Sequence, residues 1–252
     1  MIINNLVMET YYFTDKIFLS DNKLYYEENK KKNEIKNHNW HKFLNDYGWE
    51  KINKKWIKQL NSYLEKPLNN SLFGILDCGG DGDCLFHCIS YSLLSKDFFN
   101  ISKLHDHQTL RNDLSNYISF KKYNEIISIY RILKDSDDFD EDWDPYEINY
   151  NDFKEKIIEG GNEFWGDNLL INLLKEFLNI NIIILNNNEF TNEYYHYPLL
   201  YDYDKKLDSI ILLYENQIHF QLIGYFHEGK MLSYFNHNTI PKEILKLINY
   251  IR

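Results

Sequence analysis

Cys84 stands where a glycine-rich run gives way to an apolar, regular one, in the stretch "DCGGDGDCLFHCIS" from Asp77 to Ser90. The chain has only three cysteines and ten glycines, and this stretch holds all three of the first and three of the second. A thiol is a useful nucleophile as the thiolate. The exposed N–H groups and macrodipole of a helix N-terminus favour that anion. Gly80 and Gly82, with Gly79 before them, let the backbone bend and approach a substrate closely. Such a loop can aim N–H groups, those from Gly80 through Asp83 to Cys84, at one developing oxyanion. The chemistry that suits this pattern is acyl transfer through a thioester.

A nucleophilic cysteine needs a base. His219 opens the strand-like run "HFQLIGYF". On a strand, residues two apart share a face, so Gln221 lies beside His219. Its amide oxygen is placed to accept from the imidazole and fix the tautomer, as a triad's third member does.

Other readings of the same residues are weaker. Cys78 and Cys88 read as structural cysteines. Cys78, Cys84, His87 and Cys88 lack the paired Cys-x-x-Cys spacing of a zinc site. His105 and His107 have no nearby partners and read as solvent-facing, so no metal and no cofactor is expected. The acidic run "DSDDFDEDWD" (135–144) has seven acids in ten residues but no glycine at the EF-hand position. No Lys-Ser/Thr follows the glycines, which excludes a phosphate-binding P-loop.

The elements that must position these groups follow from periodicity. Helical spacing is expected over 84–94, 109–120, 123–133, 150–160 (ending at Gly160-Gly161) and 168–178. Strands are expected at 180–185, 209–215 and 219–226, the last two close enough for a hairpin. "PKEILKLINYIR" reads as a closing helix with Pro241 in its first turn. Upstream, "YYEENKKKNEIKNHN" (25–39) reads as a solvated turn or mobile loop. Residues 40–66 carry apolar residues at helical spacing, with a boundary at Pro67. The sum is an α+β protein with a small, mainly antiparallel sheet.

Composition sets further bounds. The chain has 252 residues, a net charge of −10 and 44% hydrophobic residues. That sign argues against nucleic acid as the main partner and favours a basic one. The start lacks a basic region and long apolar run, so no signal peptide is expected. No stretch approaches a membrane span. Few cysteines in a long chain suggest reduced thiols and an intracellular, cytoplasmic location. Abundant Tyr, Asn, Ile and Lys suggest an AT-rich genome.

"DGDCLFHCIS" resembles the cysteine box of the ovarian-tumour (OTU) family of deubiquitinating cysteine proteases, Asp-Gly-x-Cys-Leu-[Phe/Tyr] followed by a helix. "FKEKIIEGGNEFWGDNLLINLLKEFLNINIIIL" is similar to the family's Trp-Gly block, and "YENQIHFQLI" to its terminal His block. The order is right, and a large virus or a parasite with an AT-rich genome would fit the composition. The resemblance implies a papain-like OTU fold over 71–228, after an N-terminal helical extension (1–70) and before a C-terminal helical segment (229–252) packed on the domain. It implies Cys84 as nucleophile, His219 as base, Asp81 as the motif aspartate that shapes the oxyanion loop, and Trp165 near the substrate. The partner implied is ubiquitin or polyubiquitin, whose tail carries two arginines; Asp138 and Asp140 are candidates to meet it. Gln221 departs from the family's usual Asn or Asp, so the resemblance leaves three ways to orient His219: weakly through Gln221, through an upstream acid such as Asp77 as in some family members, or not at all in a Cys84–His219 dyad. That leaves open a weak or inactive ubiquitin-binding module, or a protease for another ubiquitin-like modifier.

Overall fold

The computed structural model describes residues 10–62, 64–65, 71–96, 106–139, 142–161, 164, 166–187, 196–197, 203–216 and 218–251. Its contacts divide the chain into a terminal unit (1–77 with 223–252) and a central unit (78–222).

The terminal unit begins with four antiparallel strands in sequential order: β1 (Tyr11–Tyr12), β2 (Ile17–Ser20), β3 (Lys23–Glu28) and β4 (Lys31–Glu34). The charged run 25–39 is therefore no mobile loop over its first ten residues. Two-residue turns, Asp21-Asn22 and Asn29-Lys30, join the last three strands, with all four residues at φ between 49° and 64°. That sign pattern matches the right-handed strand twist. The expected helical stretch 40–66 is broken into α1 (Trp40–Phe43), a 3-10 turn (Leu44–Tyr47), β5 (Trp49–Lys51) and α2 (Lys54–Ser62). Gly48, left-handed at φ 88°, ends the first part. Strand β6 (Phe73–Leu76) then runs antiparallel to β5.

The central unit carries five helices: α3 (Cys84–Lys96), α4 (His107–Tyr117), α5 (Phe120–Asp135), α6 (Tyr150–Glu159) and α7 (Asn168–Leu178). Four start at a side-chain cap. Asp106, Ser119, Asn149 and Asp167 accept from backbone N–H groups of Thr109, Lys122, Asp152 and Leu170 respectively, each satisfying a donor the helix itself cannot. Helix α4 packs on α3, α6 and α7. After α7 come β7 (Asn181–Asn187), β8 (His196–Tyr197), β9 (Ser209–Glu215) and β10 (His219–His227).

Strand β7 runs parallel to β9, with Ile182–Leu185 opposite Ile210–Leu213 and all eight buried. A parallel pair covered on both faces requires such unbroken apolar runs. The expected hairpin joins β9 to the first four residues of β10, from His219 opposite Glu215 to Leu222 opposite Leu212. The fold is thus mixed α and β, with every pair but β7–β9 among those described running antiparallel.

Beyond Leu222 the chain returns to the terminal unit. Strand β10 continues beside β6 and turns back into β11 (Lys230–Leu232); β12 (Tyr234–Phe235) and α8 (Lys242–Ile251) follow. Ile244, Leu247 and Ile248 are buried, and α8 packs on α2. Trp40 is fully buried, stacked on Phe226 at 6.3 Å. No helix among the described residues is long and apolar enough to cross a membrane.

In the central unit, burial pushes the Asp167 carboxyl above its ordinary value of 3.8, against the opposing pull of the Leu170 N–H and the Tyr130 hydroxyl. The folded state then holds that proton to higher pH than the unfolded chain, so this group's contribution falls as pH rises above 3.8. Asp167→Asn keeps a capping oxygen and removes the charge. Its stability relative to wild type, measured by urea unfolding across pH, should rise from pH 4 upward; a flat difference contradicts this. Gly160, the C-cap of α6, sits at φ 62°, ψ −148°, and a Cβ there would lie 2.3 Å from Nε of the buried Arg111. Gly160→Ala should cost about 1–3 kcal/mol by the same urea measurement. Gly80→Ala, where a Cβ meets nothing within 4 Å, should stay within about 0.5 kcal/mol.

Candidate active site

The loop before α3 is bent by its own residue types. The Asp83 N–H donates to the Gly80 carbonyl at 3.1 Å, closing a turn with Asp81 and Gly82 at its centre. Both central residues have positive φ, 57° and 83°. That is the sign pattern of a type I′ turn, which favours Asp-Gly. Asp81 is exposed and contributes its backbone conformation to the bend. The turn commits the Asp83 amide, whereas the N–H groups of Asp81 and Gly82 have no partner among the described residues.

Immediately after the turn, α3 opens at Cys84. The first helical bond runs from the His87 N–H to the Asp83 carbonyl at 2.9 Å. Cys84 is 7% exposed. Its Sγ accepts from the Phe220 N–H at 3.4 Å. One turn later Cys88, fully buried, donates its S–H to the carbonyl of the same Phe220 at 3.5 Å. The thiol is therefore fastened beside the residue that follows His219. The Phe220 ring is buried and stacked on Tyr214 at 4.3 Å, which holds the strand in register.

His219 is half-buried, and the preceding Ile218 is 61% exposed. Gln221 lies on the same strand face as His219, but its Oε1 is buried with no hydrogen-bond partner. The bond from the imidazole to that oxygen is absent in this arrangement. Asp77 is the last residue of the terminal unit's first segment.

Asp83 does more than line the loop. Its Oδ1 accepts from Arg111 Nε at 2.7 Å and from the Gly161 N–H at 3.2 Å, and it lies 2.5 Å from Arg111 Nη2. Arg111 is fully buried and also donates to the carbonyls of Ile157 and Phe164, at 3.0 and 3.3 Å. Its guanidinium carbon sits 3.8 Å over the Phe86 ring. Burial pulls its pKa down, and Asp83 opposes that. Arginine remains charged under such a pull.

Sequence reasoning misses this network, because Arg111 falls between the apolar positions Leu110 and Leu114. Two signals point to it. It is the only arginine or lysine of α4, and Gly160-Gly161 is more than a helix end, because Gly160 lies directly against the guanidinium.

The remaining expected residues divide as follows. Trp165 and Asp140 lie outside the described residues, as does His105. Gly166 is described, and a Cβ there would come within 2.4 Å of Leu85, so Gly166 fits closely against the residue after Cys84. Asp138 is exposed, in the turn after α5. His107 is not solvent-facing: it is half-buried with its ring 4.1 Å from that of His87. Burial first, then the facing His107, hold His87 below the ordinary histidine range. No cluster of three or more metal-ligating side chains occurs among the described residues.

Comparison with solved structures returns OTU proteins. The Dera Ghazi Khan virus OTU domain protease is 17% identical, covering 62% of this chain and 82% of its own, with a TM-score of 0.37. An OTU deubiquitinase from Wolbachia pipientis wMel is 14% identical, covering 74% and 100%, with a TM-score of 0.39. The Hazara virus OTU, solved bound to ubiquitin, is 14% identical, covering 62% and 82%, with a TM-score of 0.37. Comparison with curated proteins finds no match. The sequence profile of the OTU-like cysteine proteases matches residues 79–221, more than half of the chain, from the bent loop to the first three residues of β10. The chain belongs to the OTU-like cysteine protease family.

Proposed function

We propose that this protein is a deubiquitinase that hydrolyses isopeptide bonds at the C-terminal glycine of ubiquitin through a thioester on Cys84. The observation that carries the reading is the Cys84 sulfur at the start of α3, 3.4 Å from the amide of the residue after His219. The helix N-terminus and that amide both favour a sulfur anion.

In this reading His219 takes the thiol proton. The Cys84 thiolate attacks the glycine carbonyl, and the carbonyl π electrons move to oxygen. The oxyanion faces amides of the bent loop, of which Asp81 and Gly82 are uncommitted. Collapse breaks the C–N bond as His219 gives its proton to the departing lysine amine. A water, deprotonated by His219, then attacks the thioester, and ubiquitin leaves with a free carboxylate as the sulfur recovers its proton. Gln221 makes no bond to the imidazole through its Oε1 here, so its part in orienting His219 is small, and a neutral amide would in any case stabilise imidazolium less than a carboxylate does. Family membership and the acidic balance of the chain favour ubiquitin's basic tail as the ligand, with Asp138, Asp140 and Trp165 as the side chains proposed to meet it.

A second reading has two specific observations in its favour. Cys84 is almost fully buried and Gln221 Oε1 is unpartnered, which suits a module that binds ubiquitin without cleaving it.

A ubiquitin probe with an electrophilic C-terminus tests both. Wild type should form a covalent adduct and cleave at least one diubiquitin linkage. Cys84→Ala should form none, His219→Ala should lose about 10³-fold or more in kcat, and Gln221→Ala should lose about tenfold or less. Binding without labelling or cleavage would establish the second reading, and labelling of Cys84→Ala equal to wild type would remove the nucleophile.

A further inference from the structure

We propose that Arg111 is a positioning residue for the reaction: through Asp83 it clasps the bent loop to the Gly160–Phe164 segment and holds the loop amides in line with the Cys84 sulfur. The proposal rests on the reading of Cys84 as nucleophile and deepens it.

The clasp has three arms. Nε and Nη2 of Arg111 hold the Asp83 carboxylate, one residue before the nucleophile. Nη1 and Nη2 hold the carbonyls of Ile157 and Phe164, which flank the Gly160-Gly161 pair. The guanidinium face rests on Phe86, two residues after the nucleophile. The Gly161 N–H closes the circle by donating to the same carboxylate oxygen at 3.2 Å.

Each arm limits a different motion. Asp83 would ordinarily cap α3 with its side chain, as Asp106 and Asp167 cap α4 and α7. Here its carboxylate is directed at Arg111 instead, so the turn Gly80–Asp83 is anchored from outside its own helix. The Phe86 contact fixes the helix on the other side of Cys84. A planar fork can hold a carboxylate and two carbonyls at once, which a single ammonium cannot. Oxyanion donors misplaced by a fraction of an ångström lose most of their effect. Arg111 does not reach the reacting atoms in this account; it acts through Asp83.

Asp83→Asn and Arg111→Lys in the full-length chain test this. The first variant can still accept at that position but carries no charge there. The second keeps the charge but only one or two of the bonds, and neither creates a large cavity. Three readouts apply: kcat and KM on a ubiquitin C-terminal fluorogenic amide, the rate of Cys84 alkylation by iodoacetamide, and amide hydrogen exchange. Each variant should lower kcat about a hundredfold, leave KM within about threefold, and leave alkylation within about threefold. Exchange should rise in residues 79–84 while β7 and β9 keep wild-type protection. The double variant should cost no more than the worse single, because the pair acts as a unit. Wild-type kcat and wild-type exchange in both variants would overturn the proposal. So would losses shared equally by kcat, alkylation and exchange in every element, which mark general destabilisation. If wild type fails to turn over ubiquitin, the proposed function falls, and loop exchange alone still decides whether Arg111 holds the loop.

Discussion

A guanidinium taken wholly out of water must find a partner for its charge and for its N–H groups, and in the central unit Arg111 finds them in two stretches far from it in sequence, at Asp83 and on either side of the Gly160-Gly161 pair. Removing one partner of such a pair leaves the survivor desolvated and short of a bond. That penalty ties the segments to one another. The loop before α3 must bring Asp83 inward, the end of α6 must offer a carbonyl, and Gly160 must be bare enough to let the guanidinium pass. The bent Asp81-Gly82 turn and the glycine pair thus answer one constraint from two sides.

The same unit positions its sulfur by a second route. The covered β7–β9 pair and the Phe220–Tyr214 stack fix where β10 begins. Helix α3 then meets that strand through two sulfurs a turn apart, one accepting from and one donating to a single residue's main chain. The nucleophile candidate is held by its helix, by its loop and by the strand that carries His219. Such agreement among local turn chemistry, packing and polar pairing is what gives a site one geometry.

Much of the central unit is legible in the sequence because its signals are local. Helix caps, the unbroken isoleucine runs and the short gap before His219 each state their structure within a few residues. The terminal unit is harder to read. Strand β3 buries Leu24 and Tyr26 on alternate positions, but its flanking lysines and glutamates drown that period in a short window. Its turns also lack the glycine that marks most two-residue hairpins, since Asn29-Lys30 reaches positive φ without one. Residues 40–66 look continuous because Trp40, Leu44, Trp56 and Leu60 keep a step of four; Gly48, left-handed, is the sign of the break. At the site, Cys84 and His219 stand out by their neighbours. Arg111 does not, because a lone arginine in an amphipathic helix normally belongs to the solvent face, and only tertiary pairing turns it inward.

The partner that Phe220 offers the Cys84 sulfur is a peptide nitrogen, which every amino acid but one supplies. Sequence drift at that position can enlarge, shrink or polarise the ring's successor, at whatever cost to the stack, and the donor still faces the thiol. Only an imino acid would silence it. A lineage could therefore remodel the wall beside this sulfur many times over while the donor that Phe220 presents to it stayed, chemically, the same atom.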